Sequence, residues 1–171
     1  MFFDGAFGTY YHEITGKDEP CEFANLYAPE KVLYIHRQYI QAGAKAIRTN
    51  TFGVNSMLCQ TQEEMQELIK AGYELGCAAA KESGAKVFAD IGYIDSEEAE
   101  KEYLQIANIF LDCGAKYFIF ETQAEYEPFV KAIAAIKERC AEAVIIVSFA
   151  VMPDGYTKKG LYYKDLIYAA A

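Results

Sequence analysis

The chain has 171 residues, 53% of them hydrophobic, and its 25 acidic and 16 basic residues give a net charge of −9. This size and composition predict one globular domain, and the acidic balance argues against nucleic acid and anionic membranes as partners, because both bind basic surfaces. No apolar run reaches the roughly 18 residues of a membrane span, and residues 1–3 lack the basic segment of a signal peptide. We therefore expect a cytoplasmic protein.

Strands and helices alternate along the sequence. Short apolar runs, bounded by glycine or polar residues, predict strands at 1–3, 45–51, 86–91, 116–121 and 143–149. Apolar residues at helical spacing predict the intervening helices at 29–43, 63–83, 96–113 and 126–140, and a fifth at 162–171. A Gly-Ala-Lys tripeptide stands just before the second, third and fourth strands, beginning at Gly43, Gly84 and Gly114. The pattern is typical of a repeated βα unit.

Repeated βα units with right-handed crossovers leave two architectures open. One is an open sheet with helices on both faces, and the other is part of a (β/α)₈ barrel, which usually needs about 250 residues. Gly5 and Gly8 do not have the G-x-G-x-x-G spacing of a dinucleotide-binding loop. The spacing therefore argues against a nucleotide site in an open sheet without deciding the architecture.

A polar or acidic residue closes each predicted strand. These residues are Asp4, Asn50, Asp90, Glu121 and Ser148. The carboxyl ends of parallel strands share one edge, where ligands bind. The carboxylates at this edge predict a site for a polar, cationic small molecule.

The five cysteines are dispersed and show no C-x-x-C spacing. Such a set predicts reduced thiols rather than disulfides or a metal site. We expect no metal site built from them alone.

Four motifs along the chain resemble the homocysteine S-methyltransferase family. They are Asp4-Gly5-Ala6-Phe7-Gly8-Thr9, the segment 29–53 with its Thr-Asn-Thr-Phe-Gly block, Asp90-Ile91-Gly92 and Phe120-Glu121-Thr122. The resemblance covers essentially the whole chain and is strongest to the homocysteine-binding module of cobalamin-dependent methionine synthase. The resemblance favours the barrel: residues 1–171 would be the N-terminal part of a homocysteine-binding (β/α)₈ domain, an incomplete TIM barrel with about five of eight strands.

The resemblance also implies the chemistry. Family members activate the thiol of homocysteine on zinc, and the thiolate takes a methyl group to form methionine. Three cysteines beyond the fifth helix bind that zinc, and none of the five cysteines here matches them. Zinc is therefore expected in the intact family member only. The methyl donor, methylcobalamin or another, stays open.

The family's carboxylates for the substrate ammonium match Asp4 and Glu121. The backbone at Gly5 and Ala6, and the turn containing Asn50 and Thr51, are expected to bind the substrate carboxylate. No catalytic or metal-binding residue is assigned. Each assignment has a structural alternative: Asp4 as a turn cap, Glu121 as a solvated acid, and Asn50 as a loop brace.

Two further polar residues are expected to be structural. Asp90 would hold neighbouring loops together, and His36 would be a hydrogen-bonded core histidine on the apolar face of the first predicted helix.

The expected protein is thus a methyltransferase of which this chain, alone, is inactive. A non-catalytic half-barrel subunit, completed by another chain or by self-association, is the alternative. The short link between Gly92 and the third helix motivates it. An open α/β sheet without activity is the third possibility.

Overall fold

Four parallel strands form one sheet in the order β1-β2-β3-β4 in the computed structural model, which describes residues 1–170. The strands are β1 Ala46–Arg48, β2 Lys86–Ile91, β3 Tyr117–Gln123 and β4 Val144–Phe149. The α-helices are α1 Phe7–Thr15, α2 Ala24–Tyr27, α3 Pro29–Gln41, α4 Gln62–Ala80, α5 Ala99–Asp112, α6 Val130–Arg139 and α7 Tyr163–Ala170. Short 3₁₀ turns precede α2 and α6, at Cys21–Phe23 and Glu127–Phe129. The predicted α/β alternation is confirmed.

The first predicted strand is reduced to a bridge. Phe3 pairs in parallel with Ala46, and the amide of Asp4 donates to the carbonyl of Ala46 at 3.0 Å. The chain then turns away at Ala6 and enters α1. The position of a fifth strand beside β1 is therefore occupied by a single paired residue.

Helix α1 was not predicted from the sequence. Its segment, Phe7–Thr15, is rich in aromatic and β-branched residues, which have low helix propensity. Tertiary packing stabilises it: Tyr11 lies in a cluster with Ala24, Val32 and Ile35. The helix ends at Gly16, which adopts a left-handed conformation with φ 67°.

The helices form one layer against one face of the sheet. Neighbouring helices pack in chain order, α3 on α4, α4 on α5 and α5 on α6. Phe118 and Phe120 of β3 pack into this layer against α5 residues such as Phe110. A doubly wound sheet would have helices on both faces. The arrangement excludes that alternative for residues 1–170.

The other face of the sheet carries the alternate residues. Ala46, Phe88 and Ile119 form a separate buried cluster there, with Phe3, Tyr117 and Ile146 packed around it. Successive side chains of a strand point to opposite faces. In a barrel-type sheet this second face lies inside the curvature.

The fold is less enclosed at its last strand. Every residue of β2 after Lys86 is buried, whereas the residues of β4 are all partly exposed or exposed. Only β3 pairs with β4 among the described residues. Within residues 1–170, no helix is long and apolar enough to cross a membrane.

The predicted helix at 162–171 corresponds to α7, Tyr163–Ala170, and the last residue of that prediction, Ala171, lies outside the described residues.

Candidate functional site

A cavity of about 460 Å³ lies at the carboxyl ends of β1, β2 and β3. All six residues that the sequence predicted for the site line this cavity: Asp4, Gly5, Ala6, Asn50, Thr51 and Glu121. Arg48, Asp90, Cys21 and Glu22 also line it. The topology thus brings together residues that are up to 117 positions apart, from Asp4 to Glu121.

Strand periodicity places a charged layer above the inner apolar cluster. Arg48, Asp90 and Glu121 each lie two residues beyond an inner-face residue: Ala46, Phe88 and Ile119, respectively. They therefore point to the same face as those residues. These charged side chains, which line the cavity, consequently form a rim beyond the inner apolar cluster.

The end of β3 departs from regular strand geometry at this rim. The pairing of β3 with β4 shifts register between Phe120 and Gln123, and Thr122 has a φ of 54°. The amide of Thr122 donates to the hydroxyl of Ser148 at 2.9 Å. Such irregularities re-aim a side chain at a strand end. Here it is the Glu121 side chain, 19% exposed, that faces Arg48.

Arg48 links the two acids that the resemblance assigned to the ammonium. Its Nε donates to Asp4 Oδ1 at 2.9 Å, and its Nη1 donates to Glu121 Oε1. Its Nη2 donates to the carbonyls of Asp4 and Gly5 at 3.2 and 2.8 Å. Burial alone would lower the pKa of Arg48, but Asp4 and then Glu121 outweigh it and raise that pKa. The guanidinium is therefore a permanent cation within the site.

Asp4 is more enclosed than Glu121, with a side chain only 1% exposed. Both its carboxylate oxygens are engaged, since the backbone amide of Arg48 also donates to Oδ2 at 3.0 Å. Burial raises the pKa of Asp4, and the charge of Arg48 partly offsets that rise. Asp4 thus anchors Arg48 as well as lining the cavity.

Asp90 is held by its backbone rather than its side chain. Its amide donates to Thr49 Oγ1 at 3.0 Å, and its carbonyl accepts from Thr51 Oγ1 at 2.8 Å. These bonds join the strand ends, as expected, but Oδ1 of the side chain has no hydrogen-bond partner among residues 1–170. Burial, and then the negative charge of Glu121, raise the pKa of Asp90 well above its ordinary value.

The turn after β1 is braced by side-chain amides. Asn50 Nδ2 donates to the carbonyl of Cys21 at 2.7 Å and to Asn25 Oδ1 at 3.0 Å. Asn25 Nδ2 donates back to the carbonyl of Asn50 at 2.8 Å. Both donor hydrogens of the Asn50 amide are accordingly used within the protein. The backbone amide of Thr51 is also taken, by the carbonyl of Thr49 at 2.9 Å.

The segment before α1 offers backbone N–H groups to the cavity. Gly5, Ala6, Phe7 and Gly8 line it, and no side chain caps the start of α1. The first N–H groups of a helix have no partner within the helix and favour anions. Gly5 is required by close approach, because a Cβ there would lie 2.9 Å from the hydroxyl of Tyr39. That hydroxyl donates to the carbonyl of Ala6 at 3.1 Å.

The residues of this chain do not fit the zinc that the family resemblance implies. Residues 1–170 contain no group of three or more His, Cys, Asp or Glu side chains placed to hold a metal ion. Cys21, the cysteine at the cavity, donates its thiol to Asn50 Oδ1 at 3.1 Å, and burial raises its pKa to about 12. It is a neutral thiol, whereas zinc binds thiolates.

Sequence reasoning missed Arg48. The sequence did indicate a special position, because Arg48 is a charged residue at the end of an otherwise apolar strand, directly before the Thr-Asn-Thr block. Its role depends on distances to Asp4 and Glu121 that only the folded chain shows. His36 is a second correction: it is fully buried as expected, but neither ring nitrogen has a hydrogen-bond partner among the described residues.

A parallel sheet of four strands with one layer of helices and a charged cavity at its carboxyl edge defines the class as part of a (β/α)₈ barrel. Crystal structures of the homocysteine methyltransferase MmuM from Escherichia coli share this fold. The apo, oxidized and metallated forms have TM-scores of 0.78, 0.78 and 0.80 at 19%, 17% and 16% sequence identity. The similarity covers 98% of this chain and 66%, 68% and 69% of those chains. The chain thus spans about two thirds of their length.

The family described as homocysteine S-methyltransferase matches residues 1–170. The chain belongs to this family, which confirms the resemblance of its four motifs. No curated protein matches the chain.

Proposed function

We propose that this chain supplies the amino-acid-binding part of a homocysteine S-methyltransferase, an enzyme that forms methionine. The observation that carries the proposal is the carboxylate-rich cavity at the strand ends, built from the motifs of the family. The four acids that line the cavity, Asp4, Glu22, Asp90 and Glu121, outnumber its one cation, Arg48. The cavity therefore favours a ligand that brings a cation.

The ammonium group of homocysteine would bind beside Glu121. Glu121 is more accessible than Asp4, with 19% against 1% of the side chain exposed, and only one of its oxygens is bonded to Arg48. Asp4 would contribute through its charge and by fixing Arg48. A charge-assisted hydrogen bond of this kind strengthens binding by roughly 1.5–3 kcal/mol.

The carboxylate group of homocysteine would bind at the start of α1. Gly5 and Ala6 line the cavity there, and the adjoining helix end favours an anion. Asn50 and Thr51 would support this site by shaping the neighbouring turn, because the side-chain amide hydrogens of Asn50 and the backbone amide hydrogen of Thr51 are already donated within the protein.

These two contacts would orient the substrate sulfur away from α1 and Glu121. The thiolate form of that sulfur would depend on zinc held by residues outside 1–170. The residues of this chain hold and orient the amino-acid end, which lowers the entropic cost of bringing the sulfur to a methyl donor. Methylcobalamin is one candidate donor.

Binding of L-homocysteine to the purified chain, measured by calorimetry with and without the substitution Glu121→Gln, tests the proposal. We expect Glu121→Gln to weaken binding roughly 10- to 100-fold, because one charge-assisted hydrogen bond is lost. Binding of 4-mercaptobutyrate, which lacks the ammonium group, should not change. Glu125→Gln is the matched control, since Glu125 lies near the same sheet edge and pairs with Lys159 at 3.8 Å outside the cavity.

A wild-type chain that binds no homocysteine, or equal losses in Glu121→Gln and Glu125→Gln, would contradict the proposal.

The partial exposure of β4 favours a second candidate function. A strand whose outer edge is unpaired within residues 1–170 can pair with another chain. The chain would then be a binding subunit, its barrel completed by self-association or by a partner. Sedimentation of the purified chain over a concentration series distinguishes the candidates: a dimer supports self-association, and a monomer at all concentrations contradicts it.

A further inference from the structure

Two acids that line the charged cavity, Glu22 and Asp90, receive no hydrogen bond from its internal cation, and Glu22 accepts instead from the amide of Gly53 at 2.8 Å. The side-chain nitrogens of Arg48 donate to Asp4, to Glu121 and to the carbonyls of Asp4 and Gly5. Asp90 receives none of these bonds, although its carboxyl also lines the cavity. With all four lining acids ionised, Asp4, Glu22, Asp90 and Glu121 would give the site a formal charge of −3 around Arg48.

One carboxyl oxygen of Asp90 is also buried without a hydrogen-bond partner among residues 1–170. The residue is 4% exposed, and Oδ1 accepts no hydrogen bond from residues 1–170. Hydrogen bonds to the hydroxyls of Thr49 and Thr51 fix its backbone at this strand end. An ionised carboxylate in such a position is costly unless a proton or a cation accompanies it.

The groups that face Asp90 come from three directions. Glu121 approaches from β3, Arg48 from β1, and Asp4 from the segment before α1. Glu121 is the largest electrostatic influence among them, and its negative charge favours the protonated form of Asp90. A proton between Asp90 and Glu121 would relieve the repulsion between two neighbouring carboxylates.

We propose that Asp90 holds this proton in the ligand-free protein and that the primary ammonium group of an α-amino acid replaces it. The O–H bond of Asp90 breaks, the proton leaves to solvent, and the ammonium then binds between the carboxylates of Asp90 and Glu121. The charge of the site is the same before and after. Asp90 thereby becomes a third substrate-binding carboxylate, and ligand binding releases a proton.

This inference rests on the proposed function and is tested with L-methionine, whose thioether does not titrate. Calorimetric titration of the chain at pH 7.5, in phosphate and in Tris, gives the number of protons released from the dependence of the heat on the buffer. We expect about one proton per bound L-methionine and none with 4-(methylthio)butanoate, which lacks the ammonium group.

The substitution Asp90→Asn should abolish the proton release and weaken L-methionine binding roughly 10- to 100-fold. Asp112→Asn, at the C-terminal end of α5 and paired with Arg139 at 2.7 Å, is the matched control and should behave as wild type. Should Asp90→Asn fail to fold by circular dichroism, the proton count of the wild-type chain decides by itself.

Binding of L-methionine without proton release would overturn the inference while leaving the proposed function standing. Proton release that is unchanged in Asp90→Asn would also overturn the inference and leave the proposed function standing. A wild-type chain that binds no L-methionine at all would overturn both.

Discussion

Two regions of the molecule bury ionisable side chains, and they differ in whether the buried group has partners that stabilise its charge. At the cavity, Arg48 is surrounded by hydrogen-bonded acids and carbonyls. Between α1 and α3, His36 lies against the ring of Phe7, with a centroid distance of 5.0 Å and no hydrogen-bond partner for either nitrogen among residues 1–170. The cavity stabilises the charge of Arg48, whereas the packing around His36 favours its neutral form.

The difference shows which buried polar groups are suited to bind a ligand. Burial lowers the pKa of His36 to about 4, so the ring is neutral near pH 7 and acts as a packing group. Arg48 stays charged because Asp4 and Glu121 offset the effect of its burial, and the acids that line the cavity outnumber this one cation and attract a further one. Burial alone therefore does not mark a site; uncompensated charge next to a cavity does.

The largest effect on stability is expected from Arg48→Met. The substitution keeps most of the aliphatic stem but leaves Asp4 and Glu121 without their cation, which should lower the free energy of unfolding by about 3–5 kcal/mol at pH 7.5. Urea unfolding measures it. The double variant Arg48→Met with Glu121→Gln should recover part of the loss, because one of the unpaired charges is removed. A loss below about 1 kcal/mol in the single variant would show that the cluster is solvated.

A smaller, pH-dependent effect is expected from His36→Leu. The folded pKa of about 4 lies below the ordinary value of 6.5, so the unfolded state binds more protons between these values. This contribution to stability is fully present above about pH 6.5 and is lost as the pH falls toward 4. Removing the ring should therefore reduce the loss of stability between pH 7.5 and 4.5 by about 2–3 kcal/mol.

The measurement for His36→Leu is urea unfolding at the two pH values, compared with wild type. His12→Gln is the control, because His12 is exposed on α1 and its loss should leave the pH profile of wild type. If His36→Leu keeps the wild-type profile, the ring is hydrated or hydrogen-bonded in solution.

The smallest effect is expected from Lys131→Met. Lys131 pairs with Glu100 at 2.8 Å, but the two side chains are 65% and 52% exposed. Water screens this pair, so the loss of stability should be less than about 1 kcal/mol by urea unfolding. Lys131→Met and Arg48→Met thus each replace a cation by methionine, the first at an exposed position and the second at a buried one. Equal losses for Lys131→Met and Arg48→Met would remove the distinction between the two environments.

The local sequence pattern was sufficient to predict most of the fold and several of the residues that line the cavity. The 3.6-residue spacing of apolar residues predicted α3 to α6, and the polar residues at strand ends predicted that Asp4, Asn50 and Glu121 would meet. Residues at the ends of parallel strands must lie close together, because the carboxyl ends of these strands share an edge of the sheet. Helix α1 was missed because its propensity is low and its stability comes from Tyr11 packing against α3.

The sequence by itself determined the family, the βα repeat and the residues that reach the cavity, because strand order and side-chain alternation follow from short-range pattern. Only the tertiary structure decided which acids are compensated. That depends on Arg48 lying between Asp4 and Glu121 and not bonding Asp90, an arrangement of distances across three strand ends. Electrostatic interactions depend on such distances and on burial, and neither can be read from the order of residues along the chain.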